Sequence, residues 1–223
     1  FAKDSTNIFD FPKIQAVVNI NKQHLNFLKN KTLDEVILQK VGFLNQFTNI
    51  YIGKQQKHVL SKIKKCLRKN KSNVFYSNDW TLLKVKNQYY YKNAFTKIKL
   101  NTNYIHSKGL LTNLCFAIKI ALNLGIRKSL IKRTIPKIKF EARIQYLNKG
   151  KLTKKLKKEE TILIDGCHSE ISAQNLADYL KTLKVPLYGI WSMTKNKDPS
   201  KFISKFKGLF KKVFVVPIEN EPA

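Results

Sequence analysis

The chain has 223 residues, 43% of them hydrophobic and 11% aromatic, which is enough apolar side chain for one large domain or two modest ones. Its formal net charge of +29 predicts attraction to polyanions. The only arginines are Arg68, Arg127, Arg133 and Arg143, although nucleic-acid recognition favours the forked guanidinium. Lysines occur in almost every segment, so we interpret them as a solvated coat and expect no nucleic-acid partner.

The location of the protein is indicated by what its sequence lacks. No stretch approaches the roughly 18 apolar residues of a membrane span, and the segment from Phe1 to Asp4 carries no export signal. Cys66, Cys115 and Cys167 are widely spaced and odd in number, so neither disulfides nor a zinc site is indicated. We therefore expect a cytoplasmic protein without a membrane partner, and we expect both chain ends to be cuts in a longer protein.

Apolar periodicity predicts the elements of the first part of the chain. A buried strand is predicted over residues 14–20, followed by a helix in which Thr32 is the N-cap, Glu35 completes a capping box, and Gly42 marks the end. The further predicted elements are a strand over 49–53, an amphipathic helix over 59–67, an antiparallel excursion over 73–100, and helices over 107–124 and 127–135.

The second part of the chain alternates between strands and helices. Strands are predicted over 142–147, 161–164, 186–191 and 213–216, with helices over 170–183 and 199–210. Such alternation predicts a mostly parallel sheet with right-handed crossovers. Pro136 lies just before this pattern, so we predict two α/β domains, residues 1–138 and 139–223.

The sharpest chemical signal is Asp165-Gly166-Cys167-His168, which directly follows a predicted strand. In open α/β sheets, ligands bind beyond the carboxyl ends of the strands, and the N-terminus of the next helix favours an anion. Asp165 can accept a hydrogen bond from a ribose hydroxyl, and His168 can donate to a phosphate. The alternative is that Asp165 only caps the helix, and the residues alone leave both interpretations open.

Two further side chains follow the first predicted strand, His24 just past its end and Lys40 on the next helix. His24 follows the end of that strand, where an ordinary loop histidine is also common. Lys40 is a single lysine among apolar neighbours, so it is either a functional amine or a side chain whose ammonium reaches solvent. Spacing alone decides neither case.

Short motifs in a fixed order along the chain resemble those of one enzyme family. The matching segments are Asp4-Ser5-Thr6-Asn7, His24 with Phe27-Leu28, Thr32-Leu33-Asp34-Glu35, Lys40-Val41-Gly42, Asn78-Asp79-Trp80, Asn113 with Ala117, Ala142-Arg143, Asp165-Gly166-Cys167-His168, and Lys197-Asp198. Together they resemble folylpolyglutamate synthase/dihydrofolate synthase, of the Mur ligase superfamily. The resemblance implies an α/β chain with an incomplete Mur-ligase-like central ATPase domain, followed by a truncated Rossmann-like C-terminal domain.

The resemblance also implies a reaction. ATP phosphorylates a carboxylate of dihydropteroate or folate, the amine of L-glutamate attacks the acyl phosphate, and phosphate leaves. Mg²⁺ bridges the phosphates and neutralises the developing charge. The implied cofactors are thus ATP and Mg²⁺, the implied partners are small-molecule substrates, and the implied state is a monomer.

Residue roles follow from the same resemblance. They are metal binding by His24 and by Lys40 as a carbamate, catalysis by Lys40 and His168, ATP binding by Asn113, Arg143, Asp165 and His168, and substrate binding by Asp4 and Asn7.

The chain departs from the family at several positions. These are Gln23 for Asp, Gln39 for Glu, Gly109-Leu110 for His-Gln, Ala142 for Gly, and Ser169 for Asn. The sequence also has no GxxxxGK[ST] loop to hold ATP phosphates, and we expect that loop upstream of Phe1. This chain alone is therefore expected to bind ATP weakly and to be inactive.

Two alternative functions remain open from the sequence. One is a related ligase that joins an amino acid to a cell-wall nucleotide precursor. The other is a basic RNA-binding α/β module, in which Tyr89-Tyr90-Tyr91 would stack on bases. A half-buried strand is the plainer interpretation of that tyrosine cluster.

Overall fold

The computed structural model describes residues 9, 12–22, 25, 28–42, 44–194 and 197–219. Contacts between Cα atoms divide the chain into two compact units, one formed by 1–100 with 112–132 and the other by 101–111 with 133–223. The predicted domains, 1–138 and 139–223, are defined by the architecture of the family and not by the density of contacts. Their boundaries therefore stay a prediction.

The first unit contains a three-stranded parallel sheet in the order β1-β2-β3. Its strands are β1 (Ile14–Val17), β2 (Asn49–Ile52) and β3 (Asn73–Tyr76), and the crossovers contain helices α1 (Leu33–Val41) and α2 (Lys57–Leu67). Parallel neighbours need such long crossovers, because a tight hairpin can join only antiparallel strands. The predicted strands and helices of this region are confirmed, with β1 ending earlier than expected.

The core of this sheet layer follows from helical spacing. Apolar residues recur three or four positions apart on both helices, so one face of each is buried. The buried set is Val36, Ile37 and Val41 on α1, and Val59, Ile63 and Leu67 on α2, with Ile50 and Ile52 on β2. The Thr32 hydroxyl accepts the Glu35 N–H at 3.2 Å, which confirms the predicted N-cap.

The first unit also contains an antiparallel sheet of β4 (Trp80–Val85), β5 (Gln88–Asn93) and β6 (Lys97–Lys99). The predicted antiparallel excursion is therefore confirmed for these strands. It is wrong for β3, which pairs parallel with β2. The residue composition is similar in parallel and antiparallel strands, so it does not reveal the pairing of β3. That pairing arises because α2 returns the chain to the edge of the parallel sheet.

Two helices follow these strands, α3 (Lys108–Asn123) and α4 (Lys128–Thr134). Gly125 has a φ of +79°, a left-handed conformation that glycine adopts without strain, and it follows the end of α3 as predicted. Trp80 stacks on Phe116 of α3 with ring centroids 5.7 Å apart. Both predicted helices are confirmed.

The second unit contains two strand pairs and two more helices. β7 (Gln145–Leu147) and β8 (Ile162–Ile164) are antiparallel, whereas β9 (Tyr188–Trp191) and β10 (Lys212–Val215) are parallel. The helices are α5 (Glu170–Leu180) and α6 (Pro199–Ser204). The predicted element order is confirmed, and so is the parallel pairing of β9 with β10. The parallel pairing predicted for β8 is wrong, because β8 pairs antiparallel with β7, and the alternation of elements does not specify which strand becomes the partner.

The core of the second unit lies where α5 and α6 meet. Its buried members are Ala173, Ala177 and Leu180 of α5, with Phe202 and Phe206. The mixed α/β class predicted from the sequence is confirmed. Over the described ranges, no helix combines the length and apolarity that crossing a membrane requires.

Candidate functional site

Two loops of the second unit lie side by side because β7 and β8 are an antiparallel pair. Gln145, at the start of β7, is paired with Ile164, at the end of β8. The residues just before Gln145 therefore meet those just after Ile164, and the Gly166 N–H donates to the Ala142 carbonyl at 2.8 Å. In this way the fold brings together the predicted Arg143, Asp165 and His168 segments.

The Asp165 carboxylate ties the two loops to each other. Its Oδ2 accepts the backbone N–H of Ile144 and its Oδ1 accepts that of Cys167, both at 2.8 Å. Because a carboxylate offers about four lone-pair sites, it keeps capacity for a ligand hydroxyl.

The N-cap of α5 is not Asp165 but Ser169. The Ser169 hydroxyl accepts the Ser172 N–H at 3.3 Å, and the Ser172 hydroxyl accepts the Ser169 N–H at 3.0 Å. This pair satisfies two helix-end donors reciprocally. The alternative that Asp165 only caps the helix is therefore wrong.

Arg143 is exposed and stands between two residues with left-handed backbone. Ala142 has a φ of +50° and Ile144 a φ of +49°, a conformation that costs a non-glycine residue about 1–2 kcal/mol. The Ala142 N–H donates to Gln145 Oε1 at 2.8 Å, and Ile144 is buried. Such strained backbone is typical of sites where one side chain must be aimed.

The Arg143 guanidinium packs closely on the second loop. Its Nη1 donates to the Ala142 carbonyl at 2.9 Å, and a Cβ added at Gly166 would lie 2.8 Å from that nitrogen. Only glycine at this position leaves the guanidinium in place. The exposed His168 has its Nδ1 3.0 Å from the Gly166 carbonyl.

Cys167 has a structural environment rather than a reactive one. Its side chain packs against the α5–α6 core. Burial, followed by the neighbouring Asp165 charge, raises the pKa of its thiol to about 12. The thiolate is the nucleophilic form of cysteine, so Cys167 is neutral and unreactive near neutral pH.

The chemistry available at this loop pair is anion and hydroxyl binding. Arg143 is a forked cation suited to phosphate oxygens, and the N-terminus of α5 adds a positive field within the same segment. Asp165 supplies an acceptor. The arrangement fits a ligand that carries both phosphate and hydroxyl groups.

The remaining predicted residues belong to the first compact unit or fall outside the described residues. Lys40 is exposed on α1, and Asn113 is exposed on α3 within the first unit. Asp4, Asn7 and His24 fall outside the described residues. Among the residues that are described, no group of three or more His, Cys, Asp or Glu side chains is placed to hold a metal ion.

The tyrosine cluster does not offer open rings for base stacking. Tyr91 is buried, the Lys84 ammonium lies 5.6 Å from the Tyr89 ring centroid, and the Lys97 ammonium lies 4.3 Å from that of Tyr90. The half-buried strand interpretation is confirmed.

Sequence reasoning missed two residues that shape the site. Ser172 had a detectable signal, because a polar residue three positions after an N-cap serine is typical of a capping box. Gln145 had none, because its acceptor role depends on the left-handed turn at Ala142.

Comparison with known proteins first defines the class of fold. Neither a family model nor a curated protein matches the chain. Solved structures do match, and they give it the α/β fold of folylpolyglutamate synthases.

Three of these structures show the extent of the likeness. The folylpolyglutamate synthetase from Lactobacillus casei has a TM-score of 0.74 at 16% identity, covering 100% of this chain and 54% of its own. The Thermotoga maritima enzyme has a TM-score of 0.72 at 19% identity, with 93% and 48% covered. The Mycobacterium tuberculosis enzyme complexed with ADP and AMPPCP has a TM-score of 0.74 at 14% identity, with 91% and 47% covered.

The chain therefore spans about half the length of these structures. The family resemblance predicted from motifs is confirmed at the level of the fold.

Proposed function

We propose that the chain is part of an ATP-dependent ligase that joins L-glutamate to dihydropteroate, to tetrahydrofolate or to both, through an acyl phosphate. The observation that carries this proposal is the loop pair that brings the Arg143 segment to the Asp165 segment. Both segments resemble motifs to which the family owes nucleotide binding, and the chain has the family's fold. The M. tuberculosis structure with ADP and AMPPCP supports a nucleotide as the ligand.

Three residues of the loop pair have a proposed part in nucleotide binding. Arg143 donates to phosphate oxygens, Asp165 accepts from a ribose hydroxyl, and His168 contacts the phosphate chain, where it also acts in catalysis. Asn113 is assigned to the same nucleotide from the motif resemblance. In the proposed reaction the bond-making groups belong to the substrates, so the part of the protein is to position them and to stabilise charge.

The proposal of Mg²⁺ binding rests on His24 and on a chemical modification of Lys40. Among the described residues, no group of three or more His, Cys, Asp or Glu side chains is placed to hold Mg²⁺, and the ammonium form of Lys40 cannot ligate a cation. Carbamylation would convert Lys40 into an oxygen ligand of the kind Mg²⁺ prefers, and His24 would add a nitrogen. Bound Mg²⁺ would neutralise phosphate charge during transfer.

The remaining proposals concern partners and location. We propose a monomeric, cytoplasmic enzyme that binds ATP, folate or dihydropteroate, and L-glutamate, without nucleic-acid or membrane partners. Asp4 and Asn7 are assigned to the pterin substrate from the resemblance.

Phosphate release from ATP by the full-length protein tests the proposed reaction. Release must require both L-glutamate and either dihydropteroate or tetrahydrofolate, and the product must gain a glutamyl residue by mass. Release without either acceptor, or no release at all, would reject the ligase.

Two matched pairs of variants test the assigned residues. Arg143→Ala should weaken AMPPCP binding about tenfold, since one charge-assisted hydrogen bond contributes about 1.5–3 kcal/mol, whereas Arg127→Ala should not. Lys40→Arg keeps the charge but cannot be carbamylated, so ligation should fall at least about tenfold at fixed bicarbonate. Lys65→Arg is its control, and equal rates in both would remove Lys40 from the mechanism.

A further inference from the structure

We propose that Gln145 is a positioning residue that aims Arg143 by clamping the left-handed turn at Ala142. The proposal rests on the nucleotide-binding function assigned to Arg143 and adds a residue that does not itself contact the ligand. The amide oxygen of Gln145 accepts the Ala142 N–H at 2.8 Å, and this hydrogen bond is partly buried.

The clamp has a rigid base. Gln145 is the first residue of β7, where it is paired with Ile164 of β8. Its backbone is thus held by the strand pair, and its side chain reaches back three residues to the turn. An alanine at a φ of +50° is strained because its Cβ crowds the backbone, so the turn needs such an external tie.

The orientation of Arg143 depends on the carbonyl of Ala142. That oxygen accepts both the Gly166 N–H, at 2.8 Å, and Arg143 Nη1, at 2.9 Å. If Ala142 relaxed out of the left-handed region, this carbonyl would rotate and both hydrogen bonds would be lost. Gln145 therefore acts on Arg143 through Ala142.

The clamp requires only an acceptor at position 145. Glutamate keeps an oxygen in the same place, whereas leucine has a similar volume and no acceptor. Glycine at position 142 removes the need for the clamp, because it adopts positive φ without steric cost. These properties distinguish a clamp from a residue that binds the nucleotide directly.

The test measures AMPPCP affinity of the full-length protein together with hydrogen exchange at the amides of Ala142, Ile144 and Gly166. Gln145→Leu should weaken binding about fivefold and speed exchange at all three amides, as expected for loss of one hydrogen bond. Gln145→Glu should bind within about twofold of the wild type. Gln174→Leu, an exposed change on α5, is the control and should alter neither quantity.

The decisive variant combines Gln145→Leu with Ala142→Gly. Recovery of affinity to within about twofold of the wild type supports the clamp, because glycine restores the turn. A double variant as weak as Gln145→Leu alone overturns it, as does unchanged binding in Gln145→Leu when Arg143→Ala binds AMPPCP weakly. If Arg143→Ala binds AMPPCP normally while Gln145→Leu still speeds exchange, the clamp stands and the nucleotide role of Arg143 fails.

Discussion

The Asp165 carboxylate accepts the backbone N–H of Ile144 at 2.8 Å, although the two residues are 21 positions apart in the sequence. The bond joins the loop after β8 to the loop before β7. It makes Asp165 a structural tie as well as a proposed ligand group, so its replacement has two separable consequences.

Asp165→Ala should lower the free energy of unfolding by about 2–3 kcal/mol, because it leaves the N–H groups of Ile144 and Cys167 without their charged acceptor. Urea unfolding measures the change. Asp178→Ala removes an exposed carboxylate from α5 and should cost less than about 0.5 kcal/mol. Equal losses of unfolding free energy in the two variants would show that Asp165 does not hold the two loops together.

Gly166→Ala should weaken AMPPCP binding about tenfold while the protein stays folded. The new methyl group would meet Arg143 Nη1 at 2.8 Å, and the flexible guanidinium would move away and lose a charge-assisted hydrogen bond to the ligand. Calorimetric titration measures the affinity.

Gly109→Ala is the matched control for Gly166→Ala. Its methyl group would lie 3.3 Å from Asn175 Nδ2, the end of another flexible side chain, and would meet no residue of the loop pair within 4 Å among its nearest neighbours. Affinity should stay at the wild-type value. A normal affinity in Gly166→Ala would show that the position of the guanidinium does not matter for binding.

Ser169→Ala should destabilise the protein by about 1 kcal/mol, because it removes the N-cap of α5, whereas Ser169→Asn should change stability by less than about 0.5 kcal/mol. Thermal unfolding separates the two. Ser204→Ala, near the end of α6, serves as the control. If Asn at position 169 were as damaging as Ala, the hydroxyl would have a role beyond capping.

Protonation of His106 should destabilise the protein in mild acid. Its ring packs against Tyr146 and Tyr179, with centroids 5.6 and 5.5 Å away, and burial lowers its pKa below the ordinary value of 6.5. Below pH 6.5 the His106 imidazole is protonated more readily in the unfolded chain than in the folded protein. The free energy of unfolding therefore falls as the pH drops from 6.5 towards the lowered pKa.

Urea unfolding at several pH values between 7 and 5, a range of about two units around the histidine pKa, measures this effect. His106→Phe keeps an aromatic ring and should flatten the acid slope. His58→Phe, an exposed change on α2, should leave the slope as it is. Identical slopes in all three proteins would remove His106 as the cause.

The three cysteines should differ in their reactivity towards iodoacetamide at neutral pH. Cys66 is exposed, whereas burial raises the pKa values of Cys115 and Cys167 to about 12. Since the thiolate reacts, mass spectrometry should find Cys66 alkylated first and the other two only after denaturation. Modification of Cys167 as fast as Cys66 would show that the thiol is not held in the α5–α6 core.

The sequence predicted most elements because their signals are local. Val59, Ile63 and Leu67 have the spacing of one helical face, and Thr32 is an N-cap; both predictions were confirmed. The predicted capping box was wrong, because the Glu35 carboxylate accepts the N–H groups of Lys29 and Asn30 instead of completing it. The pairing of β3 was predicted wrongly, since its composition does not record which strand it will lie beside.

The sequence by itself determined the order of strands and helices, the motif set and the residues Arg143, Asp165 and His168 as candidates. Only the tertiary structure decided that Asp165 ties two loops while Ser169 caps α5, and that Gln145 holds the turn beside Arg143. The physical reason is the separation in sequence between the residues that interact. Helical periodicity and capping act within a few residues, whereas a carboxylate bonded to an amide 21 positions away depends on how β7 and β8 pair.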